Sequence, residues 1–400
     1  MEIAFLHGDL EEEIYMSQYH GFEVAGKENW VCKLKKSLYG LKQSPQQWYK
    51  WFDFFMIGQK YTRSQFNHCV YLHRLSDGSY IYLLLYVDEM LVACKNKKEF
   101  ERLKTQLSSE FKMKDLFKAK KILGIEIGRD RVKGTIHLTQ KQYLTKVLQH
   151  FGMNSNTKPM STPLALHFKL SALLSPHIDE EREYMAHVPF ASLVGSLMYA
   201  MVCTRPDISQ VVSMVSHYMH DPRKGHWQAA KWIMRNILGT IDLGLKFERD
   251  DNVGSHLVGY VDSDFVGDLD KRCSTTGYMF TLTKAPVSWR LTLQSIVALS
   301  TTATEYMAMT KTIKEAISLH GLVEDLEIYQ EHVSIFCDSQ SAIYLAKNQV
   351  YHSRTKHIDV RFHFVREITD EGYILLKRIG TTNNPADMMT KPVPLHKFKH

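Results

Sequence analysis

The stretch Val258-Gly259-Tyr260-Val261-Asp262-Ser263-Asp264-Phe265-Val266-Gly267 limits the possible folds most. Val258, Tyr260 and Val261 suit a pleated, buried backbone. Asp262 and Asp264 fall on one face of that strand, at period two. A carboxylate in such apolar company is costly to bury unless an opposite charge meets it. The strand therefore predicts a cation at its end, with further ligands supplied from elsewhere in the chain.

Three later stretches offer them. Thr304-Glu305-Tyr306-Met307-Ala308 opens a helical pattern, and Ile335-Phe336-Cys337-Asp338-Ser339-Gln340 is a strand ending in an acid. Asn383-Asn384-Pro385-Ala386-Asp387 begins a helix, with Asn384 as N-cap and Pro385 at the first helical position. Converging carboxylates raise one another's pKa unless divalent cations neutralise them. Singly, the acids have plainer readings: Asp262 and Asp338 as strand-end caps, Asp387 as an acid favouring its helix dipole. Together and in this order, Asp262, Glu305, Asp338 and Asp387 resemble the catalytic set of the ribonuclease H fold. Asp264 is a rival to Asp262, although Asp-Ser-Asp-Phe-Val-Gly fits the strand-end pattern from its first acid.

A length of 400 residues predicts two or three domains. Fifty Lys and Arg against 43 Asp and Glu give a net charge of +7, which permits a polyanionic partner. Cys32, Cys69, Cys94, Cys203, Cys273 and Cys337 show neither zinc spacing nor a disulfide framework. A reduced intracellular setting, cytoplasmic or nuclear, follows. No apolar run reaches membrane-spanning length, and Glu2, Asp9 and the three acids at 11–13 oppose a signal peptide. The composition predicts no membrane association, and no motif predicts a dedicated protein partner.

In the first half, cations, Gly40 and Gln43 precede an aromatic helix over 46–55. Gly40 lets backbone approach a ligand closely; the plainer reading is a loop before a core helix. Tyr80 to Ala93 reads as two apolar strands around Val87-Asp88-Glu89, without Gly or Pro between them. An acidic pair at the tip of a buried hairpin resembles the reverse-transcriptase motif Tyr-Val-Asp-Asp. With Ala4-Phe5-Leu6-His7-Gly8-Asp9-Leu10, Ser37-Leu38-Tyr39-Gly40-Leu41-Lys42-Gln43, Leu299-Ser300-Thr301-Thr302 and Thr355-Lys356-His357-Ile358-Asp359, the chain resembles copia-type retrotransposon Pol polyproteins over essentially its whole length.

The resemblance implies an α+β palm and thumb remnant of a reverse transcriptase, followed by an α/β ribonuclease H-like domain with a mixed five-stranded sheet. The expected parts are a truncated reverse transcriptase over 1–153 with its fingers missing, a connection over 154–250, and the ribonuclease H-like domain over 251–400. Pro159, Pro163, Pro176 and Pro189 break the start of the connection, where helical periodicity is poor. Further on, Thr204 is expected to cap a helix that Pro206 opens. Strands are expected over 257–263, 276–282, 286–291, 333–338 and 373–379.

The family's first polymerase acid lies in Asp-Val-Lys-Thr-Ala-Phe; the equivalent run here is Met1-Glu2-Ile3-Ala4-Phe5, so that acid falls just before Met1. Glu89 stands where the second hairpin Asp belongs, Phe117 where the family places glycine, and Ala303 where it usually has Glu. Asp88 and Glu89 are therefore expected to be a vestigial polymerase site. For the second half the resemblance implies a metal-dependent endonuclease on RNA–DNA hybrids. It would use two Mg²⁺ ions about 4 Å apart, with Mn²⁺ as substitute. Asp262 would bridge them, Glu305 and Asp338 would hold the leaving-group ion, and Asp387 the water-activating ion. Candidate nucleic-acid contacts are Gly40, Gln43, Ser300, Thr301, Gln340, Ser341, Asn348, Arg354, Lys356 and Arg361. The alternative is a wholly non-catalytic transposon fragment that at most binds nucleic acid.

Overall fold

The computed structural model describes residues 8–154, 156–165, 167–168, 170–171, 179–249, 256–268, 270–348 and 359–391. The chain divides into two compact units, Met1–Leu123 and Gly124–His400.

In the first unit β1 (Tyr15–Ser17) pairs antiparallel with β2 (Val31–Lys33). Helix α1 (Ser44–Gly58) places Trp48, Phe52 and Met56 four residues apart, so all three bury on one face. An antiparallel sheet follows, in the order β3 (Thr62–Arg63), β4 (Val70–Arg74), β5 (Tyr80–Tyr86), β6 (Glu89–Cys94). Alternation in β5 buries Ile81, Leu83 and Leu85 against α1 residues in one core. Helix α2 (Lys97–Glu110) is capped by Asn96, whose side chain accepts from the Lys98 and Glu99 amides. It adds Leu103 and Leu107 to that core, and β7 (Lys121–Ile122) closes the unit.

The second unit opens with β8 (Ile125–Asp130) and β9 (Thr135–Thr139), then helices α3 (Lys141–His150), α4 (Asp179–Ala186) and α5 (Phe190–Cys203). A 3-10 turn, Pro206–Ile208, leads into α6 (Ser209–Ser216) and α7 (Lys224–Gly239), and β10 (Gly244–Glu248) returns antiparallel to β9. Leu144, Leu148, Leu193, Leu197, Val212 and Ile233 share one helical core. Helix α3 packs in this core against α5 and α7. Helix α4 forms inside the stretch expected to be irregular; Asp179, Glu180 and Glu181 in its first turn complement its dipole. Thr204 does not cap a new helix. It ends α5, and its hydroxyl donates to Gln140 Oε1 at 2.8 Å. The neighbouring Arg205, fully buried, clamps Asp207 through two bonds of 2.8 and 2.7 Å and also donates to the Thr240 carbonyl and hydroxyl.

The unit continues with β11 (Leu257–Asp264), β12 (Thr275–Leu282), β13 (Ala285–Leu293), the long helix α8 (Thr301–Asp325), β14 (Val333–Cys337), α9 (Gln340–Lys347), α10 (Asp359–Asp370), β15 (Ile374–Arg378) and α11 (Asp387–Thr390). The five strands stand in the order β13-β12-β11-β14-β15. The first three are antiparallel neighbours, β14 runs parallel to β11, and β15 parallel to β14. This is the expected ribonuclease H-like sheet. Helix α8 buries Tyr306, Met309, Ile313 and Ala316 with Val261, Ile335 and Leu376. Each large apolar side chain so buried contributes about 1.5–3 kcal/mol. Short α11 packs between β11, β12, the 3-10 turn and α6. Trp289 of β13 donates to the Met201 carbonyl at 3.1 Å, a second tie to the helical core. Among the described residues no single helix is long and apolar enough to cross a membrane.

Candidate active site

Strand β11 carries Asp262 to a fully buried position one residue beyond core Val261. Helix α8 starts at Thr301 because the Ser300 hydroxyl accepts from the Ala303 amide at 3.2 Å. Its second turn then sets buried Glu305 toward the same end of the sheet, where the Asp262 charge acts on it. Parallel β14 ends beside β11 and leaves Asp338 half-buried. Ligand atoms of Glu305, Cys337 and Asp338 lie within 4.8 Å of one another. Asp387 is buried on the first turn of α11.

Local hydrogen bonds hold these acids. Thr381 Oγ1 donates to Asp338 Oδ2 at 2.8 Å. Thr390 Oγ1 donates to Asp262 Oδ2. Asn384 does not cap a helix from Pro385. A two-residue turn intervenes, and α11 starts at Asp387. The Asn384 side chain instead accepts from the Ala386 amide at 3.1 Å and donates to the Val261 carbonyl at 2.9 Å. It straps the start of α11 to β11 beside Asp262.

Sequence reasoning missed Lys391. Its ammonium lies 3.3 and 3.2 Å from the two oxygens of Asp262 and 3.2 Å from Asp387 Oδ1. The available signal was spacing: Lys391 stands four residues after Asp387, one helical turn on. Burial pushes Asp262 up to about 6, against the pull of Lys391 and the Thr390 hydroxyl. Burial also pushes Glu305 up to about 8, with the Asp262 charge adding to it and the Ser263 hydrogen bond opposing. Lys391 is raised above the usual ammonium range: burial pulls it down, but Asp262 and Asp387 outweigh burial. Asp264, half-buried, is raised chiefly by burial.

The donor set fits a hard divalent cation: carboxylate oxygens gathered in a buried place, where Asp338 raises Asp262 and both raise Glu305, with a lysine ammonium already standing between Asp262 and Asp387. Cys337 fits less well, because burial pushes its thiol up and keeps it protonated. The raised carboxyls also set a pH dependence for the metal-free protein. An acid whose folded pKa exceeds its unfolded value stabilises the fold below the unfolded pKa, and that stability is lost as pH rises through the folded pKa. In EDTA the melting temperature of this unit is therefore expected to fall between about pH 4.5 and pH 8, the window set by Glu305. Saturating Mg²⁺ should flatten that slope. A slope unchanged by Mg²⁺ would mean that these acids do not hold the ion.

The proposed nucleic-acid contacts scatter more widely. Ser300 and Thr301 are exposed at the start of α8, and Gln340 and Ser341 are exposed in the first turn of α9, which Ser339 caps. Asn348 is half-buried and donates to the Tyr344 carbonyl at 2.9 Å. Arg354, Lys356 and the Arg361 side chain lie outside the described residues. In the first unit Gly40 is exposed with φ +94°, and the Gln43 side chain accepts from the Glu11 amide at 3.3 Å.

The hairpin between β5 and β6 turns on Val87 and Asp88. Val87 has φ +54°, a costly conformation for a β-branched residue. Trp48 Nε1 donates to the Val87 carbonyl at 2.6 Å and pins it there. Asp88 is half-buried at the tip. Glu89 is exposed, and its Oε2 accepts from the Leu123 amide at 2.9 Å. Phe117 has φ +58°, which gives a physical reason for a glycine at that position.

Residues 1–166 match the family model described as "Reverse transcriptase (RNA-dependent DNA polymerase)". The chain is 52% identical over 399 residues to the retrovirus-related Pol polyprotein from transposon TNT 1-94 of Nicotiana tabacum, spanning all of this chain and 30% of that one. It is 31% identical over 316 residues to the putative transposon Ty5-1 protein of Saccharomyces cerevisiae, spanning 79% of this chain and 99% of that one. The chain belongs to the copia-type retrotransposon Pol family. A copia-type relative from Arabidopsis thaliana, the Pol polyprotein from transposon RE1, is 35% identical over 99% of this chain. The present sequence spans 26% of that relative's length, as it spans under a third of the tobacco one. Among solved structures, LC11-RNase H1 isolated from compost aligns with 34% of this chain and 92% of its own, at 18% identity and a TM-score of 0.27.

Proposed function

We propose that the C-terminal sheet of this copia-type Pol segment is a divalent-metal-dependent endonuclease that cuts the RNA strand of RNA–DNA hybrids. The observation that carries the reading is the gathering of Asp262, Glu305 and Asp338 at one end of the five-stranded sheet, where the Asp338 charge bears on the other two and the Asp262 charge on Glu305, with Asp387 sharing the Lys391 ammonium with Asp262. Asp262, Glu305, Asp338 and Asp387 would hold two Mg²⁺ ions, or Mn²⁺ in their place. Bound there, the ions would supply an activated water and stabilise the leaving oxygen. The chain's own residues orient the ligands: Thr390 fixes the Asp262 carboxylate, Thr381 that of Asp338, and Asn384 ties α11 to β11. The exposed hydroxyl and amide groups of Ser300, Thr301, Gln340 and Ser341 suit a backbone rich in 2′-hydroxyl and phosphate oxygens. The test is cleavage of labelled RNA in a hybrid by the full chain with Mg²⁺ or Mn²⁺ at low salt, where phosphate contacts are strongest. RNA left intact under both metals would leave the non-catalytic fragment as the better reading.

The polymerase hairpin is proposed to be inactive. Glu89 spends its carboxylate on the Leu123 amide, and its extra methylene displaces the charge by about 1 Å relative to aspartate, a shift that costs on the order of 10²-fold. Residues 1–400 are expected to give no primer extension on a primed RNA template with Mg²⁺ or Mn²⁺. Template-dependent extension would overturn this.

A further inference from the structure

Lys391 has a role that the acids alone do not explain. It is the residue after Thr390, which itself bonds Asp262, so its backbone is held close to the carboxylates. Its ammonium contacts both oxygens of Asp262 and one of Asp387, on two elements more than 120 residues apart in sequence. The Asp262 side chain is 1% exposed and that of Asp387 9%, whereas that of Lys391 is 37% exposed. The acids are fixed in the interior, and the lysine reaches them from the rim on a four-carbon stem. A divalent ion bridging Asp262 and Asp387 would need the space the ammonium fills.

We propose that Lys391 is a built-in, displaceable counter-cation: it holds Asp262 and Asp387 together before metal arrives and competes with the metal for them. This rests on the metal reading of the site. Loss of the three contacts to the ammonium is part of the cost of metal entry, and the flexible stem lets the group swing to solvent afterwards. An arginine would serve less well, because its planar fork would lock onto the carboxylate bidentately and resist displacement. Lys391 is on this account a positioning residue, acting on the metal through the acids.

The test uses the full chain, with Mn²⁺ binding followed by calorimetry and folding by thermal melts in EDTA and in saturating Mn²⁺. Lys391→Met keeps the stem and removes the charge. It should bind Mn²⁺ about tenfold tighter than wild type, because no ammonium is displaced. The same variant should melt below wild type in EDTA, where Asp262 loses its counter-charge, and the gap should close in Mn²⁺. Wild-type Mn²⁺ affinity in the variant, with an equal stability loss in both buffers, would make Lys391 a plain structural bridge and overturn the proposal while the metal reading stands. If neither protein binds Mn²⁺, the metal reading fails and takes this one with it. Asp262→Asn separates the cases, since it should lose binding whatever stands at position 391. Should Lys391→Met not fold, Lys391→Gln is carried through the same measurements with the same expectations.

Discussion

Asp262→Asn is expected to leave the RNA strand of a hybrid uncut, a loss of at least about 10³-fold, while hybrid binding at low salt stays near wild type. The substitution preserves the shape of the side chain and its bond from Thr390, and removes only the charge. Asp262 is the fully buried acid, in contact with Lys391 and electrostatically coupled to Glu305 and Asp338. Asp264→Asn should do much less. Asp264 is only half-buried, and its carboxylate lies against Gly267, where an added Cβ would meet Asp264 Oδ2 at 2.3 Å. The reverse ranking in a single-turnover cleavage assay would show that the second acid of the pair is the ligand. Loss of hybrid binding in Asp262→Asn would show that the carboxylate holds the fold or the substrate rather than the chemistry.

Gly277→Ala should be nearly as damaging without touching any acid. Gly277 pairs with Asp262 across β11 and β12. An added Cβ there would meet Thr390 Cγ2 at 2.6 Å, Met389 Cβ at 3.0 Å and the Ala386 carbonyl oxygen at 3.5 Å. None of these is the far end of a flexible side chain, so α11 must lift off the sheet. Overpacking of this kind costs about 1–3 kcal/mol. Lifting α11 by about 1 Å also moves Asp387 and the Thr390 hydroxyl, at a cost on the order of 10²-fold in rate. Both a lower melting temperature and a loss of cleavage are expected. Thr390→Ser removes the nearest clashing methyl and keeps the hydroxyl, so the double variant should recover part of both. Gly195→Ala, inside α5 where an added Cβ meets nothing within 4 Å, is the control: it should leave cleavage unchanged and raise the melting temperature slightly, because alanine suits a helix interior better than glycine. Full activity in Gly277→Ala would mean that α11 does not need to sit where it does.

The parts of the site that rest on periodicity were legible in the sequence. The five strands fall within two residues of the expected ranges, because Val261, Ile335 and Leu376 lie in uninterrupted apolar runs that only a covered sheet accommodates. Ser339 caps α9 by local chemistry that needs no tertiary context, whereas α8 opens at Thr301, three residues before the helical pattern at Thr304, because Ser300 caps it. What could not be read depends on contacts between distant segments. Asn384 looks like an N-cap from its neighbours, but its amide is drawn to Val261, 123 residues away. Thr204 looks like a cap as well, but Gln140 takes its hydroxyl, leaving Pro206 to open only a 3-10 turn. Lys391 announces nothing by itself; only the arrival of β11 turns a surface lysine into a partner for Asp262. The left-handed turn at Val87 runs against the residue's own preference, and the indole of Trp48, 39 residues earlier, holds it there.

Helix α11 carries Asp387 on a single turn that cannot stand alone, and one of the surfaces it leans on belongs to α6 and the Pro206–Ile208 turn. That turn is in turn fastened by the buried Arg205 clamp on Asp207 and Thr240. If the proposed cleavage is right, heredity would therefore see a larger site than chemistry does. As a transposon copy drifts, a change at Arg205 or Ile208 would silence cutting as surely as a change at an acid, yet the four carboxylates would still look intact to anyone reading the gene. A library scored for cleavage would show this as a second cluster of sensitive positions more than 40 residues upstream of the first acid, and a copy judged by its acids alone would be counted alive after it had stopped working.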